Sequence, residues 1–375
     1  MIPTISTLPI QQLTSGDRIF LQVYKFIGAK PGKKAYLQSN LHGAEIVGNA
    51  VIHQLIDFLM ALDDSQMTGE IWLVPVCNPL STNQRTHYFS TGRFNVHDGK
   101  DWNRIFWDYE KECEDLEAFV QSQVNLDLAD IRKNYLERIL SSFSKQLAKI
   151  HAPSGLPFSE RYRYHLQSLC LDANYVIDIH SSSNQAIDYL YCFQSREESA
   201  KAFLLDYGIL MNDYDGDAFD EAFMKPWLAL EKGLVELGKN IKLDIESWTL
   251  ELGSGMQMHP DSVKKGVLGI KNYLAQKGIL ELSDFPLAIT TSHVVNFTDK
   301  SQIQKYYAPA GGMIRSRVEL GSSIQEGQVL YQLISFNKQA ELPRIIDICA
   351  ETDGVVFDVS TNSAVHEGEY VLSVM

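Results

Sequence analysis

Apolar and polar residues alternate with period two across Ala35–Ser39, which predicts a half-buried strand, and Arg18–Ile27 reads as a first strand ahead of it. Pro31-Gly32 is expected to turn the chain between them. After Ser39 the spacing changes. From Ile46 to Leu59 the apolar residues recur three and four positions apart, the pattern of an amphipathic helix. Gly69 then precedes Glu70–Val76, a further strand closed by Asn78-Pro79. Strand, helix and strand at this spacing predict an α/β sheet whose functional residues collect at strand ends. Residues 108–150, rich in Glu, Lys, Leu and Gln, read as one or two helices. They open on an acidic run, Tyr109–Glu117, expected on a solvated helix face. Tyr175–His180, Tyr189–Phe193 and Ser247–Gly253 read as further strands; the first ends on a histidine and the last carries Glu251 near its end.

Past about Leu282 short strands replace long helices, and an internal repeat appears. Ala308–Ile314 is echoed by Ala350–Val356, and Ile324–Leu330 by Val365–Val371. Two similar halves with turn glycines predict a small two-sheet β domain. The chain is therefore divided into residues 1–298, a large domain, and residues 299–375, which are expected to fold on their own.

Composition narrows the class. At 375 residues, 45% hydrophobic and 21% charged, the chain is ordinary globular protein. A net charge of −14, with no stripe of Lys and Arg, argues against nucleic-acid binding and against docking on anionic membranes. No apolar stretch approaches the roughly 20 residues that span a bilayer. Cys77, Cys113, Cys170, Cys192 and Cys349 are scattered and form no Cys-x-x-Cys pair, which suits a reducing compartment. With no signal peptide visible, a cytoplasmic location is expected. Homo-oligomerisation stays open.

The candidate chemistry begins at Asn40-Leu41-His42-Gly43-Ala44-Glu45, where the strand is expected to break into the helix. His42 at the strand end and Glu45 in a first helical turn are three residues apart, so their side chains can converge. An imidazole and a carboxylate are two ligands of a typical catalytic zinc site; a third from elsewhere would leave a position open for water. Taken alone, His-x-x-Glu is a common accident. Three further pieces accompany it: Asp101-Trp102-Asn103-Arg104-Ile105-Phe106, Asp178-Ile179-His180 and Thr249-Leu250-Glu251-Leu252-Gly253.

Together these pieces resemble the zinc carboxypeptidase superfamily and, within it, the succinylglutamate desuccinylase and aspartoacylase branch, which cleaves acyl groups from amino-acid amines. The resemblance implies a mixed twisted sheet flanked by helices, followed by a small C-terminal all-β domain similar to biotinyl and lipoyl domains. It implies one zinc ion per chain, held by His42, Glu45 and His180. Glu251 is implied as general base, with Asn103 and Arg104 gripping a substrate carboxylate and Arg93 polarising the scissile carbonyl. Asp178 is assigned a structural role, on the ground that alternating strand residues face opposite ways.

Glu246 rivals Glu251, and Arg85 rivals Arg93. His87 and His97 are expected in solvent. Tyr306 and Tyr307 are unranked candidates to assist catalysis. The family often has Asp where Ala44 stands and Thr-Gly where Ser181-Ser182-Ser183 follow His180, which leaves the substrate pocket open. Lys338 lies between the two β halves but lacks the context of a modified carrier lysine. The implied function is zinc-dependent hydrolysis of the amide of a small N-acylated amino acid or amine. A metallocarboxypeptidase acting on short peptides needs the same groups, and a non-catalytic binding module on the same fold is the rival from another class.

Overall fold

Strands β1 (Thr4–Gln12), β2 (Arg18–Ile27) and β3 (Lys30–Ser39) open the computed structural model, which describes residues 1–212, 214 and 216–375. Next come α1 (Val47–Ala61), β4 (Thr68–Val74) and the short α2 (Pro79–Asn83). A long loop leads to α3 (Leu116–Gln123), α4 (Leu128–Ile150) and α5 (Phe158–Gln167). Then follow β5 (Tyr175–Ser182), β6 (Gln185–Ala186), β7 (Asp188–Phe193), α6 (Glu197–Ala200) and β8 (Tyr207–Met211). The large sheet is completed through α7 (Phe219–Glu236), β9 (Glu246–Ser254), α8 (Pro260–Gln276) and β10 (Asn296–Asp299).

Among the described residues this sheet has nine strands, ordered β1-β2-β4-β3-β5-β9-β7-β8-β10. Its centre, β4, β3, β5 and β9, is parallel, and β7 returns antiparallel to β9. Helices cover both faces, as a parallel sheet requires. The pleat sorts the side chains. Tyr36 and Val176 point into one core with Tyr135, Phe143 and Trp227 of α4 and α7. Leu37, Ile177, Ile179, Trp248 and Leu250 point into the other, under α1 and α8. Each such residue, fully buried, contributes about 1.5–3 kcal/mol. Helix α4 shows why the inserted segment is helical: Ile131, Tyr135, Ile139, Phe143 and Ile150 make one buried stripe, and the Asp127 carboxylate accepts the Asp130 N–H as a cap.

Three expectations change. The chain turns at Gly28-Ala29, and Pro31-Gly32 lies inside β3. Helix α1 starts at Val47, so Glu45 sits in the turn before it and not in its first turn. The acidic run is no helix face: Tyr109 is buried, residues 110–112 make a single 3-10 turn, and α3 begins at Leu116. No helix among the described residues is long and apolar enough to cross a membrane.

The C-terminal strands are β11 (Gln304–Tyr307), β12 (Gly312–Arg317), β13 (Ser323–Ile324) and β14 (Val329–Ser335), then β15 (Arg344–Cys349), β16 (Gly354–Val359), β17 (Ala364–Val365) and β18 (Tyr370–Val374). They form two sheets, β11-β18-β16-β13 and β15-β14-β12-β17. The repeat is interlocked, since each half lends its short middle strand to the other half's sheet: β13 pairs with β16, and β17 with β12. These sheets also join the rest of the molecule. Strand β6 pairs with β16, and Ala186, Tyr189, Ile209 and Phe357 form one shared apolar cluster. Strand β10 belongs to the large sheet and runs one residue past the expected division at 298/299.

Candidate active site

The ends of β3, β5 and β9 lie side by side, with Ser39 paired to Ile179 and His180 to Glu251. Because Leu250 and Ile179 face the α1/α8 core, His180 and Glu251 face the other way, toward α7. His42 arrives on the turn after β3. Asn40 makes that turn: it holds φ at 67°, a left-handed conformation Asn tolerates better than most residues, and its amide N–H groups reach the carbonyls of His42, Gly43 and Glu45. Gly43 is required by close approach, since a Cβ there would lie 2.1 Å from the Ser81 carbonyl oxygen.

His42, Glu45 and His180 converge, each offering one ligand atom within 4.8 Å of the others, and all three are buried. His42 Nδ1 lies 3.0 Å from Glu45 Oε1, and His180 Nδ1 lies 2.9 Å from Oε2. The far ring nitrogens are also engaged, His42 Nε2 with Asp101 Oδ1 and His180 Nε2 with Asp178 Oδ2, each at 2.9 Å. Asp178 therefore shares the face of His180. Residues two apart on a strand are one full pleat period apart, which overturns its placement on the opposite side.

The charges follow from this packing. Burial alone would favour neutral imidazoles and a neutral Glu45. Pairing outweighs it: the Glu45, Asp101 and Asp178 carboxylates raise His42 and His180, and the two imidazoles hold Glu45 below the usual carboxylate range. Burial also opposes ionisation of Asp101, yet His42 and Arg93 bring it down to about 2. The Glu251 carboxyl goes the other way. Burial, aided by Glu45, pushes it up to about 7. Its Oε2 is sealed from solvent without a hydrogen-bond partner among the described residues.

Two imidazoles and a carboxylate, with carboxylates orienting the imidazoles from behind, suit a divalent metal such as zinc. The unpartnered Glu251 oxygen beside them fits the same reading.

A cavity of about 290 Å³ opens over the cluster, and His42, Glu45, Arg93, Asn103, Arg104, His180 and Glu251 all line it. Arg93 is carried there by the loop after α2: Ala44 N–H donates to the Thr91 carbonyl at 3.0 Å, so the loop folds back onto the ligand turn. Its Nε lies 2.9 Å from Asp101 Oδ2 and its Nη1 3.9 Å from Glu45 Oε1. Asn103 Oδ1 accepts the Phe219 N–H at the start of α7, tying the Asn103-Arg104 segment to that helix.

The rivals lie elsewhere. Arg85 donates to the Thr82 and Gln84 carbonyls, and His87 and His97 are exposed. Glu246, at the opposite end of β9, is bound by Lys277, Ser199 and Tyr273. Tyr306 and Tyr307 do not line the cavity; Tyr191 of β7 does. Sequence reasoning missed Tyr191, Asp220, Glu221, Thr249, Lys300 and Lys305 in the wall. Their periodicity carries no signal, because β7 and β9 bring in Tyr191 and Thr249, α7 brings in Asp220 and Glu221, and the segment after β10 brings in Lys300 and Lys305, all by packing. A larger cleft of about 530 Å³ lies between α3 and α7, away from the ligand cluster.

Residues 31–151 match the succinylglutamate desuccinylase/aspartoacylase catalytic domain, the family that the motifs resemble. The match contains His42, Glu45, Arg93, Asn103 and Arg104 and stops short of His180 and Glu251. The N-alpha-acetyl-L-2,4-diaminobutyric acid deacetylase of Halomonas elongata is 24% identical over 343 residues, covering 91% of this chain and 81% of that protein. A Shewanella amazonensis structure, provisionally assigned to the same family, is 26% identical with a TM-score of 0.86, covering 99% and 98% of the two chains. A counterpart from Shewanella frigidimarina has the same fold, with 24% identity, a TM-score of 0.87 and coverage of 100% and 97%.

Proposed function

We propose that this chain is a zinc-dependent hydrolase that removes the acyl group from a small N-acylated amino acid or amine. The observation that carries the reading is the convergence of His42, Glu45 and His180 beside Glu251, whose buried Oε2 has no hydrogen-bond partner among the described residues. Bound there, zinc would supply Lewis-acid activation of a water and of the acyl carbonyl. Glu251 takes the proton of the attacking water and returns it to the leaving amine. Arg93 faces the developing negative charge on the carbonyl oxygen. Arg104, with Asn103, grips a substrate carboxylate through its forked guanidinium.

The size of the cavity and the activity named for the Halomonas relative support a small acylated amino acid over a peptide. In this reading residues 1–298 carry the chemistry, while Lys305 of the C-terminal segment joins the cavity wall.

The test is metal analysis of the purified chain together with a substrate comparison. About one zinc per chain is expected, absent from His180→Ala, with turnover of N-acyl amino acids and none of blocked dipeptides. Full metal occupancy in His180→Ala would falsify the ligand assignment, and preference for the dipeptides would make the chain a carboxypeptidase.

A further inference from the structure

The turn that follows His180 is held from two sides. On one, Asp358 of β16 collects three donors. Ser182 Oγ donates to its Oδ2 at 2.5 Å, Asn184 Nδ2 to its Oδ1 at 3.1 Å and the Tyr370 hydroxyl to Oδ1 at 2.6 Å. The backbone reinforces this: β6 pairs with β16, and the Ile187 N–H donates to the Phe357 carbonyl at 3.0 Å. On the other side the turn touches the ligand cluster. Ser183 Oγ donates to Glu45 Oε1 at 3.3 Å, and the Ser182 carbonyl accepts the Gly255 N–H just beyond the strand that carries Glu251.

Asp358 is 8% exposed and makes no ion pair with a described residue, and burying an unpaired carboxylate is costly. An apolar side chain would pack at this interface with less penalty. What the carboxylate uniquely does is accept from three donors at once, two of them within four residues of a ligand histidine. The neighbouring contacts, Tyr189 on Phe357 at 5.4 Å and the Ala186–Ile209 cluster, are apolar and hold the end of the turn at Ala186, whereas the side chains of Ser182 and Asn184 bond to Asp358.

We propose that Asp358 is a positioning residue of the active site: it fixes the turn 181–187, and through that turn the placement of His180 and Glu45. The proposal rests on the reading of His42, Glu45 and His180 as metal ligands. Asp358→Asn retains the shape but replaces one acceptor oxygen by an NH2 group, so either the Ser182 donor or the Asn184 and Tyr370 donors lose their acceptor. Its expected effect is about a tenfold loss of zinc affinity in chelator competition, as for other groups that orient ligands from outside the ligand set. A fall in kcat larger than the rise in KM should accompany it, together with faster amide hydrogen exchange across 181–187 in the metal-free chain. Ser182→Ala should move all three readings the same way, and the double variant should lose little more than Asp358→Asn alone.

Leu333→Ala, buried in the same C-terminal sheets, serves as the control that lowers Tm without moving zinc affinity or exchange in the turn. If Asp358→Asn fails to fold, Ser182→Ala carries the test. Unchanged zinc affinity, kcat and exchange in the folded variant overturns the proposal, whatever happens to Tm. A wild-type chain that takes up no zinc overturns the metal reading; Asp358 is then judged by exchange, and no change across 181–187 sinks it.

Discussion

At the scale of the residue, Glu251 and Glu246 show how position along one strand decides the role of a carboxylate. Both sit on β9. Glu246 is surrounded by Lys277, Ser199 and Tyr273, whereas Glu251 has an unpartnered oxygen over the ligand cluster. Glu251→Gln should therefore retain zinc and lose roughly 10²–10⁴-fold in turnover, as removal of a general base does. Glu246→Gln should lower stability and leave turnover nearly intact; the reverse pattern would mean that the wrong carboxylate bears the proton. The pH dependence has a definite sign. A base must be ionised, burial pushes the Glu251 carboxyl up to about 7, and so kcat/KM should fall as pH drops through that region. The residual activity of Glu251→Gln should lack this acid limb.

At the scale of the element, the strand ends were legible and the devices that aim them were not. Alternation and helical spacing located β3 and α1, and strand-end motifs located His42, His180 and Glu251, because those patterns are local. The Asp101–His42 contact spans 59 residues and leaves no periodic trace. Strand β1 escaped because Pro9 sits at a bulge on an exposed edge strand, where alternation is weak. Helix α7 escaped because it is buried on most of its surface and contains Pro226, so no clean polar face marks it. Asn40 was in plain view, but its left-handed backbone was not. Asn40→Ala should cost about 2–3 kcal/mol, from the strained backbone and the lost hydrogen bonds. Thermal unfolding with and without zinc checks this: the variant should melt lower in both states. An unchanged Tm would mean that the turn is held by its neighbours alone.

At the scale of the whole molecule, the C-terminal sheets are less separable than their repeat suggested. They share an apolar cluster with the large sheet and contribute Lys305 to the cavity. Truncation before Gln304 should uncover Ala186, Tyr189 and Ile209, and produce a poorly soluble chain with weakened zinc uptake. Light scattering and metal content of residues 1–303 measure this. A monodisperse fragment that binds zinc as the full chain does would restore the view of an independent, removable domain.

The exchange of β13 and β17 between the two halves has a consequence for chain connectivity. The loop between β14 and β15 is exposed, with Leu342 and Phe336 uncovered at 86% and 58%. A protease cutting there would separate the halves covalently and leave them entangled. The N-terminal piece keeps strands in both sheets, as does the C-terminal piece. The nicked protein should migrate as one particle in native electrophoresis and as two in denaturant. Here the order of strands in space, and not the continuity of the backbone, keeps the ends of the molecule together.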